Sequence, residues 1–151
     1  MKLYIVYFRT MQDSPEVTIK CATTSKAIAE LEYEKAKAEE ADWMADEDED
    51  SGNWAEACIR EFDMAEDLKQ GQDIYLLVDT RWHEDVETIV TPFVYEDNAV
   101  TQQAWAKEDY LKYYPGLTPF DEDEAWDQAI HLNDDSVMVD IWVYVEPVTI
   151  Q

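Results

Sequence analysis

The side chains best equipped for chemistry in this chain are carboxylates, and they come in blocks. Asp46, Glu47, Asp48, Glu49 and Asp50 form one run, and Asp121, Glu122, Asp123 and Glu124 form another. Glu30, Glu34, Glu39, Glu40 and Asp42 lead into the first run. Dense carboxylates can pair with Lys and Arg, hold a hard cation, or act as an acid–base pair. The calcium reading fails on spacing. Asp46, Asp48 and Asp50 open like an EF-hand loop, but Ser51 stands where the turn glycine belongs and Ala57 where the bidentate Glu belongs. The acid–base reading has no discriminating power, because among 36 Asp and Glu a pair at any separation arises by chance.

Other catalytic constellations lack their parts. His83 and His131, the two histidines, have no zinc or triad spacing. Glycine occurs at Gly52, Gly71 and Gly116, too scattered for a phosphate-cradling loop. Cys21 and Cys58 have no basic neighbourhood to lower a thiol pKa, and read as buried, reduced thiols of a cytosolic protein. The expectation is a protein that is not an enzyme and uses no cofactor and no metal. Ion pairing is the chemistry left.

Its scale is large. With 36 acids against 11 Lys and Arg, the formal charge is -25 over 151 residues. Duplex DNA carries one charge per ~1.7 Å of axis, so the excess matches roughly 40 Å, or about a dozen base pairs. Self-repulsion of this size opposes compaction, so the charge points to a basic partner. Direct nucleic-acid binding is excluded by its sign. Acidic disordered tails lack apolar residues, whereas this chain is 46% hydrophobic and 13% aromatic, with six Trp and nine Tyr. No apolar run approaches ~18 residues, so no membrane span is expected. The opening MKLYIVYFRT reads as a strand rather than a signal peptide, which fits a cytoplasmic chain.

The elements that must position these acids follow a repeat. Leu3–Phe8 resembles Ile74–Asp79, and both resemble Ile141–Glu146. Ala27-Ile28, Lys35 and Trp54-x-x-Ala57 recur 72 positions later as Ala99-Val100, Lys107 and Trp126-x-x-Ala129. The first unit reads as strands over Lys2–Arg9 and Glu16–Ala22, then a helix capped by Ser25 and running to about Met44. A short helix over Trp54–Lys69 follows. Ala27, Ile28, Leu31 and Ala38 share one face of the long helix and are expected to pack.

The second unit repeats the plan with strands over Asp73–Thr80 and Glu87–Val94 and a helix from an Asp97 cap to about Tyr114. A short helix over Glu124–His131 and a last strand over Val137–Val145 complete it. Pro92 cannot donate to a ladder, so the strand over Glu87–Val94 is an edge or ends there. The second helix offers Val100, Ala104, Tyr110, Leu111 and Tyr114 for packing. The expected fold is α+β: two degenerate ββα repeats plus a closing strand, with a mainly antiparallel sheet and helices on one face. The whole chain, 1–151, reads as one domain with pseudo-repeats of about 1–72 and 73–145. Tyr4, Tyr75, Tyr110, Tyr114 and Trp142 read as core, Trp54 and Trp126 as pins for the short helices, and Trp82 and Trp105 as contact residues.

In charge, size and acidic runs the chain resembles the DNA-mimic proteins of phages and mobile elements, small acidic globular chains that occupy the nucleic-acid site of restriction, CRISPR or repair enzymes. The resemblance covers composition and has no diagnostic motif. It implies an inhibitor that binds a basic DNA- or RNA-binding protein in the host cytoplasm. The expected contacts are Glu30, Glu34, Glu39, Glu40, Asp42, Asp46, Glu47, Asp48, Glu49, Asp50, Trp82, Trp105, Asp121, Glu122, Asp123 and Glu124. Two other readings share the charge: an immunity-type protein that neutralises a basic toxin, and a salt-adapted acidic domain.

Overall fold

A computed structural model describes residues 1–47, 51–115, 118–119, 132–133 and 139–151. The fold is α+β, with two long helices and two antiparallel three-stranded sheets. In chain order the elements are β1 (Lys2–Met11), β2 (Pro15–Thr23), α1 (Lys26–Ala45), β3 (Trp54–Asp63), β4 (Asp73–Trp82), β5 (Val86–Phe93), α2 (Glu96–Tyr113), β6 (Thr118–Pro119), β7 (Leu132–Asn133) and β8 (Asp140–Thr149). The chain divides into two compact units: Met1–Gln72 together with Thr149–Gln151, and Asp73–Val148.

In the first unit the strand order is β2-β1-β3. β1 is a nearly continuous apolar run because it is central and buried on both faces. Tyr4, Val6 and Phe8 face α1, while Leu3, Ile5 and Tyr7 lie on the opposite face. The β1–β2 pairing shifts between Val6 and Tyr7, so that Lys20 becomes an extra, bulged residue of β2. Ser25 caps α1, its hydroxyl accepting from the Ile28 backbone N–H at 3.3 Å.

Two expectations for this unit are corrected. The Trp54–Lys69 segment is not a short helix. Over Trp54–Asp63 it is β3, paired antiparallel along the whole of β1 from Met11↔Trp54 to Lys2↔Asp63. Ala55, Ala57 and Ile59 meet the core on alternate positions, which is the strand period, and the pairing with β1 overrides the helix propensity of the Ala and Glu residues. Trp54 therefore pins no helix; its ring lies 5.1 Å below the Arg9 guanidinium. The packed face of α1 is also not Ala27, Ile28, Leu31 and Ala38, all of which are exposed. Ala29, Tyr33, Ala36 and Trp43 face the sheet. The chain's last residues also belong here. Ile150 is buried and its N–H donates to the Gln72 carbonyl, while the Gln151 N–H donates to the Ala22 carbonyl, both at 2.8 Å.

The second unit repeats the ββα plan and recruits β8, in the order β5-β4-β8. β5, which carries Pro92, is an edge strand as expected. Met11↔Pro15 closes the first hairpin and Trp82↔Val86 the second, so Phe8 and Asp79, each three residues before its closing pair, are equivalent. The strand match of Leu3–Phe8 to Ile74–Asp79 has this register. On the helices the equivalence is different: α1 follows Ser25, α2 follows Tyr95, and Ala29 corresponds to Ala99. The bulge at Lys20, which β5 lacks, accounts for the changed offset. The 72-position matches are thus two residues, or about 200°, out of phase with the packing.

The packed face of α2 matches its expected face at Tyr110 and Tyr114 and differs elsewhere. α2 packs through Ala99, Ala106, Tyr110 and Tyr114 against Leu77, Ile141, Val143 and Val145, while Val100, Ala104 and Leu111 are exposed. Gln103 is buried and donates to the Val143 carbonyl at 2.8 Å. The N-cap is Tyr95, and Asp97 lies in the first turn, where its charge complements the helix dipole. Trp142 alternates with the core residues Ile141 and Val143, and so lies on the other face of β8. The short helix expected over Glu124–His131, with Trp126, lies outside the described residues.

Candidate functional site

α1 organises the acids of the first unit. Its sheet-facing stripe fixes the orientation, and four acids fall on one solvent-facing ridge: Glu30, Glu34, Asp42 and Asp46, with Ala38 between them, every fourth residue and every one exposed. Each step rises ~6 Å along the axis. That is near the ~5–6 Å at which i, i+4 side chains face one another, and it is a charge spacing suited to successive cations of a partner.

The remaining expected acids are arranged differently. Glu39 is taken by Lys20 of β2 at 3.0 Å, and Glu40 by Lys37 at 2.6 Å with its side chain only 19% exposed. Glu32, another acid of this helix and not among the expected contacts, pairs with Lys35 at 3.0 Å. On the ridge, Glu30 has a loose pairing with Lys26 at 3.8 Å. Glu34, Asp42 and Asp46 have no ion pair among the described residues. Glu47 turns inward, accepting from the Asn53 side-chain amide at 3.1 Å and the Ser51 hydroxyl at 3.4 Å. The structure brings part of the expected set together and diverts the rest into local pairs. Asp48, Glu49, Asp50, Asp121, Glu122, Asp123 and Glu124 lie outside the described residues. Trp82 is half-buried at the end of β4, opposite Val86. Trp105 is 56% exposed on α2.

The second unit holds a feature that was not read from the sequence. A cavity of about 270 Å³ opens between β4 and α2, lined by Asp79, Arg81, Ala106, Asp109, Tyr110, Tyr113 and Tyr114. Asp79 and Arg81, two apart on a strand, share the helix-facing side, and Tyr110, Tyr113 and Tyr114, spaced i, i+3 and i+4, share a side of α2. Pro115 disfavours the helical conformation for the residue before it, and Tyr114 accordingly leaves it, at φ -128 and ψ 72. The Tyr110 hydroxyl donates to Asp79 Oδ1 at 2.6 Å. Burial pushes the Asp79 carboxyl above the usual carboxylate range, against the Tyr110 hydrogen bond and the Arg81 charge, which pull it down. Burial and the hydrogen bond to Asp79 push the Tyr110 phenol upward. Arg81 forms an ion pair with Glu87. One signal in the sequence marks this place: in the run Ile74–Thr80 an acid at position 79 is in phase with Tyr75 and Leu77, which face the helix.

The two thiols are inert. Both are free and buried, and burial pushes each up to about 11, so neither supplies a nucleophile at neutral pH. No helix among the described residues is long and apolar enough to cross a membrane. No family model, no curated protein and no solved structure matches the chain.

Proposed function

We propose that the protein is an acidic, non-enzymatic inhibitor that occupies the nucleic-acid site of a basic DNA- or RNA-binding protein, such as a defence nuclease of the host cytoplasm. The observation that carries this reading is the ridge of Glu30, Glu34, Asp42 and Asp46, held rigidly outward because the opposite face of α1 is anchored to a three-stranded sheet by Ala29, Tyr33, Ala36 and Trp43. The carboxylates replace phosphates in pairing with the partner's Lys and Arg. The net charge of -25 steers and accelerates the encounter. The pair of Glu30 with Lys26 is a surface pair of small value, ~0–1 kcal/mol, so a partner's arginine exchanges into it at little cost.

The test is displacement. A fluorescent DNA duplex is bound to each of several unrelated basic nucleases, and the protein is titrated in. Release of duplex from at least one nuclease, weakening steeply as salt rises, supports the reading. Retention of duplex by every nuclease at low salt removes it.

A further inference from the structure

We propose that the cavity between β4 and α2 receives the guanidinium group of an arginine from the basic partner, an inference that rests on the reading above. Three observations lead there. The first is chemistry. Tyrosine faces attract cations, and a carboxylate beside them completes a guanidinium site. The walls offer Tyr110, Tyr113 and Tyr114 with Asp79 and Asp109. The cation already on the wall, Arg81, is paired with Glu87, which offsets its charge. The second is size. At about 270 Å³ the cavity falls below the roughly 300–1,000 Å³ that holds a drug-sized ligand, and suits one side chain.

The third comes from the other half of the molecule. By hairpin register Phe8 corresponds to Asp79, and by helix register Ala36, Glu39 and Trp43 correspond to Ala106, Asp109 and Tyr113. In the first unit this place is filled from within. Lys20 Nζ lies 5.5 Å from the Phe8 ring centroid and 3.0 Å from Glu39. A cation therefore already sits between an aromatic ring and the counterpart of Asp109. Lys20 is the bulged residue, and β5 has no bulge. The second unit keeps an acid, adds tyrosines and has no counterpart of Lys20; its own cation, Arg81, is held to Glu87 on the neighbouring strand. Tyr113 remains 81% exposed although it lines the cavity, an aromatic placed for a contact from outside.

The experiment is a titration of the full chain followed by amide chemical shifts, using N-acetyl-arginine amide, its citrulline analogue as the neutral isostere, and N-acetyl-glutamate amide as the anion. The expected result is that arginine shifts the amides of Asp79, Ala106, Asp109, Tyr110, Tyr113 and Tyr114, and that citrulline binds about tenfold more weakly or not at all. Asp109→Asn and Tyr113→Ala, both at exposed positions, should each weaken arginine by up to about tenfold while the remaining spectrum is kept. Equal binding of citrulline, the anion shifting the same amides, or arginine shifts confined to α1 overturns the proposal. Its failure is separable from that of the functional reading. If arginine bypasses the cavity while the protein still displaces duplex, the cavity proposal falls alone. If arginine enters the cavity but no nuclease releases duplex, the inhibitor reading falls and the cavity remains a cation site.

Discussion

The two units share a ββα core and differ in chemistry at one pair of equivalent positions between strand and helix. Phe8 in the first unit fills the space between strand and helix, beside Ala36 and Trp43. Asp79 in the second leaves that space as a cavity, bridged to the helix by Tyr110. The difference lies in what fills the space between strand and helix. The first unit closed its core and turned its acids outward along α1; the second kept a polar, aromatic opening where the first has apolar packing. Lys20 completes the contrast, since the bulge that supplies it changes both the helix register and the local charge.

Exchanging the two residues should break this comparison most visibly. Phe8→Asp removes a ring that packs with Val6, Ala36 and Trp43 and puts a carboxylate into that apolar cluster, where Lys20 is the nearby cation. We expect a loss of about 4 kcal/mol or more in urea unfolding. Asp79→Phe replaces a half-buried carboxylate with the first unit's own solution and should cost far less. Equal losses would mean that the two places are not equivalent.

The next effect tests the closure of the first unit. Deleting Thr149–Gln151 removes buried Ile150 and its hydrogen bonds with Gly71 and Gln72, as well as those of Gln151 with Ala22 and Thr23. On the scale of losing a buried Ile, the loss should be about 3 kcal/mol. Hydrogen exchange should accelerate in β2 more than in β5. Uniform acceleration would show that the strap is not specific to its unit.

Alkaline pH should also act on the first unit, which holds both thiols. Their folded values of about 11 lie above the ordinary 9.0, so the unfolded chain ionises first as pH rises. The stability they contribute is intact below about 9 and is lost as pH climbs toward 11, by ~2 kcal/mol for each thiol. Tyr7, pushed upward by burial, acts in the same direction. Cys21→Ala with Cys58→Ala should flatten this part of the profile relative to the parent.

The smallest effect belongs to the cavity. Because burial raises the Asp79 carboxyl, the folded state holds its proton more tightly than the unfolded state does. Asp79 therefore lowers stability at neutral pH, and that penalty is relieved as pH falls through its folded value. The difference between parent and Asp79→Asn stability should shrink on acidification. A constant difference would place Asp79 in solvent.

The fold class was legible in the sequence because strand periodicity and turn residues are local. The strands over β1, β2, β4 and β5 stand within about two residues of their expected bounds, and Ser25 caps α1 as its hydroxyl requires. The helix face was not legible. Alanine occurs on every side of α1, so the wheel could not choose between Ala27 and Ala29; Tyr33 and Trp43, which reach the sheet, make that choice in three dimensions. β3 was hidden because Ala and Glu favour a helix locally and only pairing with β1 reverses this. Among the candidate contacts, exposure of Glu30, Glu34, Asp42, Asp46 and Trp105 was readable from charge and spacing. The inward turn of Glu40 and Glu47 depends on Lys37, Asn53 and Ser51, contacts that charge and spacing do not specify.

The central claim is that the placement of acid on α1, not the total charge, makes the inhibitor. It is tested by comparing two triple reversals with the same change in net charge. One converts the ridge residues Glu34, Asp42 and Asp46 to Lys; the other converts Asp13, Glu16 and Glu84, which are exposed away from the helix. Duplex displacement from a responsive nuclease is measured across a salt series. The ridge variant should lose about tenfold or more in potency and show a shallower dependence on salt, while the second variant stays close to the parent. Equal losses in the two variants, or no loss in either, would contradict the account.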